Sequence, residues 1–315
     1  MNVWKRFSPS IRHRNIALAL ALSAPLVASA AEIGKTFATP EAAAAALVAA
    51  ASAEDTNAFR VLFGPVGVEI ENPDRVQAAN ELRTFNAAVS QRQQLVHESE
   101  AKCVLTIGTN DWPFPVPIVK RDGQWFFDTE AGKEEILNRH IGKNELATLQ
   151  AVRAYVEAQR EYASKDRDGD DVLEYAQKVS STPGSKDGLY WPEELDGEIS
   201  PLGPLAAQAQ LQGYGKKPKE EVTAPEPFHG YYFKILTRQS KSAPGGKYDY
   251  IINGNMIGGF ALVAWPAKFG ESGIMTFIVN QQGRVYQKDL GPKTKSVAEA
   301  MRAYDPDQTW SLSAD

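Results

Sequence analysis

The stretch from Asn144 to Tyr175 constrains this chain more than any other. Leu146, Leu149, Val152, Tyr155, Val156, Gln159 and Tyr162 recur every three or four residues. On a helix that spacing gathers them into one mostly apolar stripe. Arg153, Glu157, Arg160, Glu161 and Lys165 fall outside the stripe and can stay in water. Asn144 is placed to cap this helix, because its side-chain oxygen can accept an orphan amide of the first turn. Gly142, just before it, lets a preceding helix stop. The acidic, glycine-broken loop KDRDGDDVLEY then ends the helix, since Asp and Gly favour non-helical backbone. A helix with one apolar face needs something to cover, and the strand-rich segment beyond Tyr231 supplies a sheet.

Ahead of this helix the pattern is helical first and extended later. Thr39-Pro40-Glu41 is a strong helix start, with a capping hydroxyl, proline at the first position and an acid at the positive dipole end. An alanine-rich helix over 42–51 follows, then a second over 55–63. Residues 66–71 read as a short strand. Asn72-Pro73-Asp74 opens a third helix, expected from 75 to about 97. Three strand runs come next, at 102–108, 114–121 and 124–128, the last two joined by Arg121-Asp122-Gly123, a good hairpin signal. Pro113, Pro115 and Pro117 alternate, which predicts an edge strand whose outer side cannot donate. Helices followed by a curled antiparallel sheet resemble the cystatin-like or nuclear-transport-factor-like cone. A further helix over 131–141 leads to the long one.

The expected class is α+β, with a first domain at 35–141 and a second at 142–310. The second carries a long polar insertion near 180–227, containing a short helix at 205–212. Strands are expected at 231–238, 259–265, 274–280 and 284–288, the last two joined by a hairpin through Gln281-Gln282-Gly283. A short helix over 296–304 and a tail close the chain.

Residues 1–30 read as a secretory signal peptide. Lys5, Arg6, Arg12 and Arg14 precede an apolar run, 16–22, too short to span a bilayer. Ala28-Ser29-Ala30 puts small residues where a signal peptidase needs them, so cleavage is expected after Ala30, into the periplasm or beyond. No later stretch is long and apolar enough to cross a membrane. The precursor carries −5, and losing those four cations leaves −9, a charge with no electrostatic reason to seek nucleic acid or anionic lipid. The one cysteine, Cys103, cannot form an internal disulfide and alternates with apolar residues, as a small core side chain would.

The order of one helix, a polar loop and an antiparallel sheet is that of pilin and pseudopilin globular domains. The pieces KDRDGDDVLEYA, GLYWP, HGYYFKIL and GIMTFIVNQQGRVYQKDLG look like the pilin-like domains of secreted bacterial proteins. With the N-terminal half, roughly residues 37–310 resemble the bacterial family known as domain of unknown function 2950. The resemblance implies secretion and a pilin-like second half. It implies no activity, and no functional residue is carried over from it. The chain departs from true pilins in that its long helix begins mid-chain and is amphipathic.

Asp166, Asp168, Asp170 and Glu174 form the candidate metal site, because hard oxygen ligands on a tight loop suit calcium. The match to an EF-hand is partial: counted from Asp166, the sixth and twelfth places hold Asp171 and Gln177 instead of Gly and Glu. Tyr190 and Trp191, in the polar insertion, are the candidate partner contacts, since flat amphipathic rings make adaptable contacts. Apart from His13, in the signal segment, the histidines are His97, His140 and His229, each alone in sequence, and no nucleophile elbow, zinc-binding helix or Cys/His spacing occurs. Ser272, between glycines before a strand, reads as a turn residue. The expected function is a non-catalytic binding or assembly module that meets another envelope protein. The alternatives are a hydrolase-like periplasmic enzyme with a polar site in the N-terminal cone, and a calcium-stabilised surface component.

Overall fold

The structure, a computed structural model, describes residues 33–72, 74–167, 169–192, 197–212, 214 and 227–313. The segment read as a signal peptide, Asp168 and part of the polar insertion lie outside the described residues.

Local chemistry sets the first helices where the caps predict them. In α1 (Pro40–Ser52) the Thr39 hydroxyl accepts the Ala42 amide at 3.2 Å, and in α2 (Thr56–Phe63) Asp55 accepts two amides. The strand expected at 66–71 is instead a 3-10 turn, Pro65–Ile70, for which Pro65 presets the first backbone angle. Asp74 caps α3 (Arg75–Gln91), which ends short of the expected 97. There β1 (Gln93–Ser99) begins, and Leu95, expected on the helix, pairs with Leu105 of β2 (Lys102–Ile107). This strand has little to bury, so it shows no alternation that sequence reading could find.

The first sheet is antiparallel in the order β1, β2, β4 (Ile118–Arg121), β5 (Gln124–Phe127), with β3 (Trp112–Pro113) beside β2. The alternating prolines do not make one continuous edge strand: Pro113 lies in the two-residue β3, paired with β2, and Pro115 and Pro117 lie outside any strand. Pro115 and Pro117 have no amide to give a ladder, so pairing lapses after β3 and resumes past Pro117, and β4 lies inside the sheet. The β4–β5 hairpin is as predicted: Asp122 and Gly123 take φ of 51° and 79°, the left-handed pair a two-residue turn requires. Cys103, Leu105 and Ile107 face the first core, with Leu47, Val116, Ile118 and Phe127.

The largest departure from expectation is α4 (Thr129–Tyr162), one continuous helix of 34 residues. It is capped by Asp128, whose carboxylate accepts the Ala131 amide at 3.2 Å, and it does not stop at Gly142 or restart at Asn144. A lone glycine costs a helix interior about 1 kcal/mol, less than the burial of even one large apolar side chain returns, at roughly 1.5–3 kcal/mol. Such burial occurs at both ends. Ile136 packs on the first core, while Val152, Tyr155, Val156 and Tyr162 belong to a second. Leu146, assigned to the apolar stripe, lies between these two contacts and is 65% exposed.

The second core is built against another antiparallel sheet. Beyond α5 (Gly203–Gln212) come β6 (Tyr231–Leu236), β7 (Arg238–Gln239), β8 (Tyr248–Asp249), β9 (Ile251–Ile252), β10 (Asn255–Met256), β11 (Ala261–Pro266), β12 (Met275–Asn280) and β13 (Tyr286–Asp289). After α6 (Thr294–Ala300), the segment read as a tail forms β14 (Ser311–Leu312). The main sheet runs β14, β13, β12, β11, β6; β7 pairs with β8 and β9 with β10. Every residue of β11, which pairs with β12 on one side and β6 on the other, is buried. The chain is an α+β protein.

Candidate functional site

Where α4 passes from one core to the other, its buried face turns polar. Asn144 and Thr148 are each 1% exposed. Asn144 accepts a hydrogen bond from Gln77 Nε2 on α3 at 2.9 Å and donates from Nδ2 to the Ser272 carbonyl at 2.9 Å. So the residue expected to cap a helix instead ties α3 to the turn before β12. Gly230 lies against it: with φ of 71°, a Cβ there would come within 2.6 Å of Asn144 Nδ2.

Asp74 is the second node. Its Oδ1 accepts the Gln77 amide at 3.0 Å, the ordinary capping bond of α3. Its Oδ2 accepts the Tyr214 hydroxyl at 2.5 Å and the Gly230 amide at 3.2 Å. The carboxylate is 3% exposed, so these charge-assisted bonds replace its water. The Tyr214 oxygen in turn accepts the His229 amide at 3.3 Å. Burial, and then the Asp74 carboxylate beside it, push the Tyr214 phenol far up, so it stays a donor. Close by, the Glu81 carboxylate meets Lys143 Nζ at 2.9 Å, His140 Nε2 at 3.3 Å and Asn72 Nδ2 at 3.2 Å.

His229 stands at the edge of this network, with φ of 48°. Burial lowers its pKa, the Asp74 charge opposes that, and Lys143 adds to it, so the ring is held toward its neutral form. Its Nδ1 is buried and has no hydrogen-bond partner among the described residues. His229 and Phe228 close one end of a cleft of about 330 Å³. Ala147, Gln150, Ala151 and Ala154 of α4 form one wall, and Pro204, Leu205 and Gln208 of α5 form the other. Small side chains at helical spacing make the room, and the two glutamines and the histidine supply the hydrogen-bonding groups. The volume is at the lower end of the range for small-molecule sites.

The acidic loop is occupied with its own backbone and its neighbours. Asp166 accepts the Gly169 and Asp171 amides, at 2.8 and 3.0 Å. Asp170 accepts the Val172 amide at 2.9 Å and Asn255 Nδ2 at 2.6 Å, while Glu174 accepts the Met256 amide at 2.8 Å. Among the described residues no three acidic, histidine or cysteine side chains are grouped to hold a metal; Asp168, the remaining candidate ligand, is outside them. Of the expected aromatic contacts, Trp191 is 1% exposed. Its indole N–H donates to the Glu198 carbonyl at 3.0 Å, and Arg167 and Lys186 lie over its ring. Such a ring serves the core and offers no face to a partner. Tyr190 is half-buried, and its hydroxyl accepts Gln210 Nε2 at 3.2 Å. Cys103 is fully buried, with Sγ 3.2 Å from His97 Nδ1; burial, then Glu41, push its thiol up, away from the reactive thiolate. Ser272 closes a turn, exchanging hydrogen bonds with Lys268.

The sequence marks Asn144 only as a helix cap and His229 only as an isolated histidine, and it gives no role to Gln77, Tyr214 or the second oxygen of Asp74. Asn72-Pro73-Asp74 announced a cap, and nothing local announced that the cap has a partner 140 positions away.

Fold and site together define an α+β protein in which two cores share one helix, with a small cleft beside the shared segment. The chain belongs to the family described as protein of unknown function DUF2950, which matches residues 34–312. No curated protein and no solved structure matches the chain. Among the described residues no helix is long and apolar enough to cross a membrane.

Proposed function

We propose that this is an exported, non-catalytic binding module of the cell envelope, and that the cleft between α4 and α5 is where it takes part of an envelope protein. The observation that carries the reading is the composition of the cleft. Among the described residues its walls are mostly alanine, proline, leucine and phenylalanine, with hydrogen-bonding side chains from Gln150, Gln208 and His229. Walls of that kind hold an apolar side chain or short segment and orient it with few polar contacts. The nearby titratable groups, Asp74 and Glu81, are spent on joining the cores. The packing of the C-terminal part of α4 on an antiparallel sheet accords with the pilin-like order read in the sequence, an argument by analogy of fold.

The hydrolase alternative required polar groups facing into the N-terminal sheet. The side chains there are Cys103, Leu105, Ile107, Val116 and Ile118, packed with Phe127 and Trp125, which weighs against it.

Cross-linking in intact cells, followed by identification of what is attached to the tagged protein, tests the proposal. One recurrent envelope partner is expected. It should be lost when Ala154→Trp fills the cleft in a variant that keeps its melting temperature. No partner above background, or a partner that survives Ala154→Trp, refutes the reading.

A further inference from the structure

We infer that β1 is a pairing edge whose occupant is a second copy of this chain, joined antiparallel about Leu95. The two ends of the first sheet differ. Beyond β5, Phe37 pairs with Trp125, each amide donating to the other's carbonyl, at 2.7 and 2.8 Å. Beyond β1 no strand follows among the described residues. One bond shows which backbone groups face that side. The Gly108 amide donates to the Arg92 carbonyl at 2.9 Å, so these two residues form a hydrogen-bonded pair of the β1–β2 ladder. Such pairs alternate along antiparallel strands, and the register carries the alternation to Gln94 with Thr106 and Val96 with Val104. The amides and carbonyls of Gln93, Leu95 and His97 therefore point away from β2. Natural edges are often blunted with lysine or proline, and β1 has neither.

The ends of this edge identify the partner. On one side α3 runs up to Arg92, and on the other a bulge between His97 and Ser99 breaks the ladder. The pairable run is 93–97, centred on Leu95. A second copy laid antiparallel on that run sets Leu95 against the partner's Leu95 and Gln93 against the partner's His97. Every outward amide and carbonyl then has a mate. Just outside the run Arg92 comes opposite the partner's Glu98, once at each end of the pairing. Alternation puts both charges on the same face as Val96, which is 41% exposed and lies diagonal to the partner's Val96. In the single chain Arg92 meets Asp111 at 3.0 Å and Glu98 meets Lys102 at 2.8 Å, all four side chains half-exposed. Exposed pairs of this kind hold weakly, so the charges can change partners at little cost. This self-complementary pattern selects the chain itself over an unrelated strand, and it stands whether or not the cleft binds an envelope partner.

One strand pair buries less than the roughly 1,200 Å² of a stable interface, so the dimer depends on concentration. Sedimentation of the full chain should show the mass rising toward that of a dimer between about 10 μM and 1 mM. Arg92→Glu sets like charges opposite each other at both ends and should weaken association about tenfold or more. Glu98→Arg should do the same, and the double variant Arg92→Glu with Glu98→Arg should restore it, each with the melting temperature of wild type. As the dimer forms, amide exchange should slow at Leu95 and His97 and stay as it was at Gln94 and Val96, already bonded to β2. A monomer throughout this range overturns the inference. So does a dimer that either single variant leaves intact, a double variant that fails to restore association, or protection that arises elsewhere than in β1.

Discussion

Gln77 and Asn144, 67 positions apart, are joined by a hydrogen bond of 2.9 Å that is buried between the two cores. The same amide of Asn144 also holds the Ser272 carbonyl. Asn144→Leu keeps the approximate volume and removes both bonds, leaving a buried donor and a buried acceptor without their partner. A loss of roughly 2–4 kcal/mol is expected at these unit costs, read from urea unfolding. A loss below about 0.5 kcal/mol would show that the bonds contribute only what water would.

Acid should weaken the same region through Glu81. Burial alone would raise this carboxylate, but the hydrogen bonds and charges of His140 and Lys143 outweigh it and hold the group down to about 2. Because the folded value lies below the ordinary 4.5, the stabilisation is complete above pH 4.5 and is lost as pH falls toward 2. Across that window wild type should lose on the order of 2 kcal/mol more than Glu81→Gln does. Parallel curves of stability against pH for the two proteins would remove Glu81 from the acid response.

Tyr190 and Trp191 are adjacent in sequence and should separate by experiment. Trp191→Ala empties a fully packed site and should cost about 3–5 kcal/mol. Tyr190→Ala removes a half-buried ring and the Gln210 contact, and should cost less than half as much. Thermal melts decide; equal losses would place both rings in the same role.

The acidic loop is expected to act as a strap to β10. Asp170→Asn weakens the bond to Asn255, and Glu174→Gln weakens the acceptor of the Met256 amide. Each should lower stability by about 1 kcal/mol, equally with chelator and with millimolar calcium. A melting temperature that rises with calcium in wild type, and not in Asp168→Asn, would restore the metal reading.

Much of the second sheet was legible in the sequence because its strands are apolar and its turns chemically marked, as at Gln281-Gln282-Gly283. The Asp122-Gly123 hairpin was legible for the same local reason. What escaped was whatever depends on distant partners. Gly142 read as a stop because propensity cannot see that α4 has a core to bury at each end. β1 was given to α3 because Leu95 and Val96 alone carry no period. The junction of Asp74, Gln77, Asn144, Tyr214 and Gly230 spans up to 156 positions, and each of these residues is unremarkable among its neighbours. Trp191 stands in a polar stretch and so reads as a candidate partner contact, yet Lys186 of that stretch and Arg167 of the acidic loop cover its ring.

The uninterrupted α4 has a mechanical meaning. A rod shared by two cores carries a pull or twist from one end to the other without a slack joint to absorb it. The alanine wall of the cleft is part of that rod, which packs on β11 and β12, so whatever moves the rod moves the wall with it.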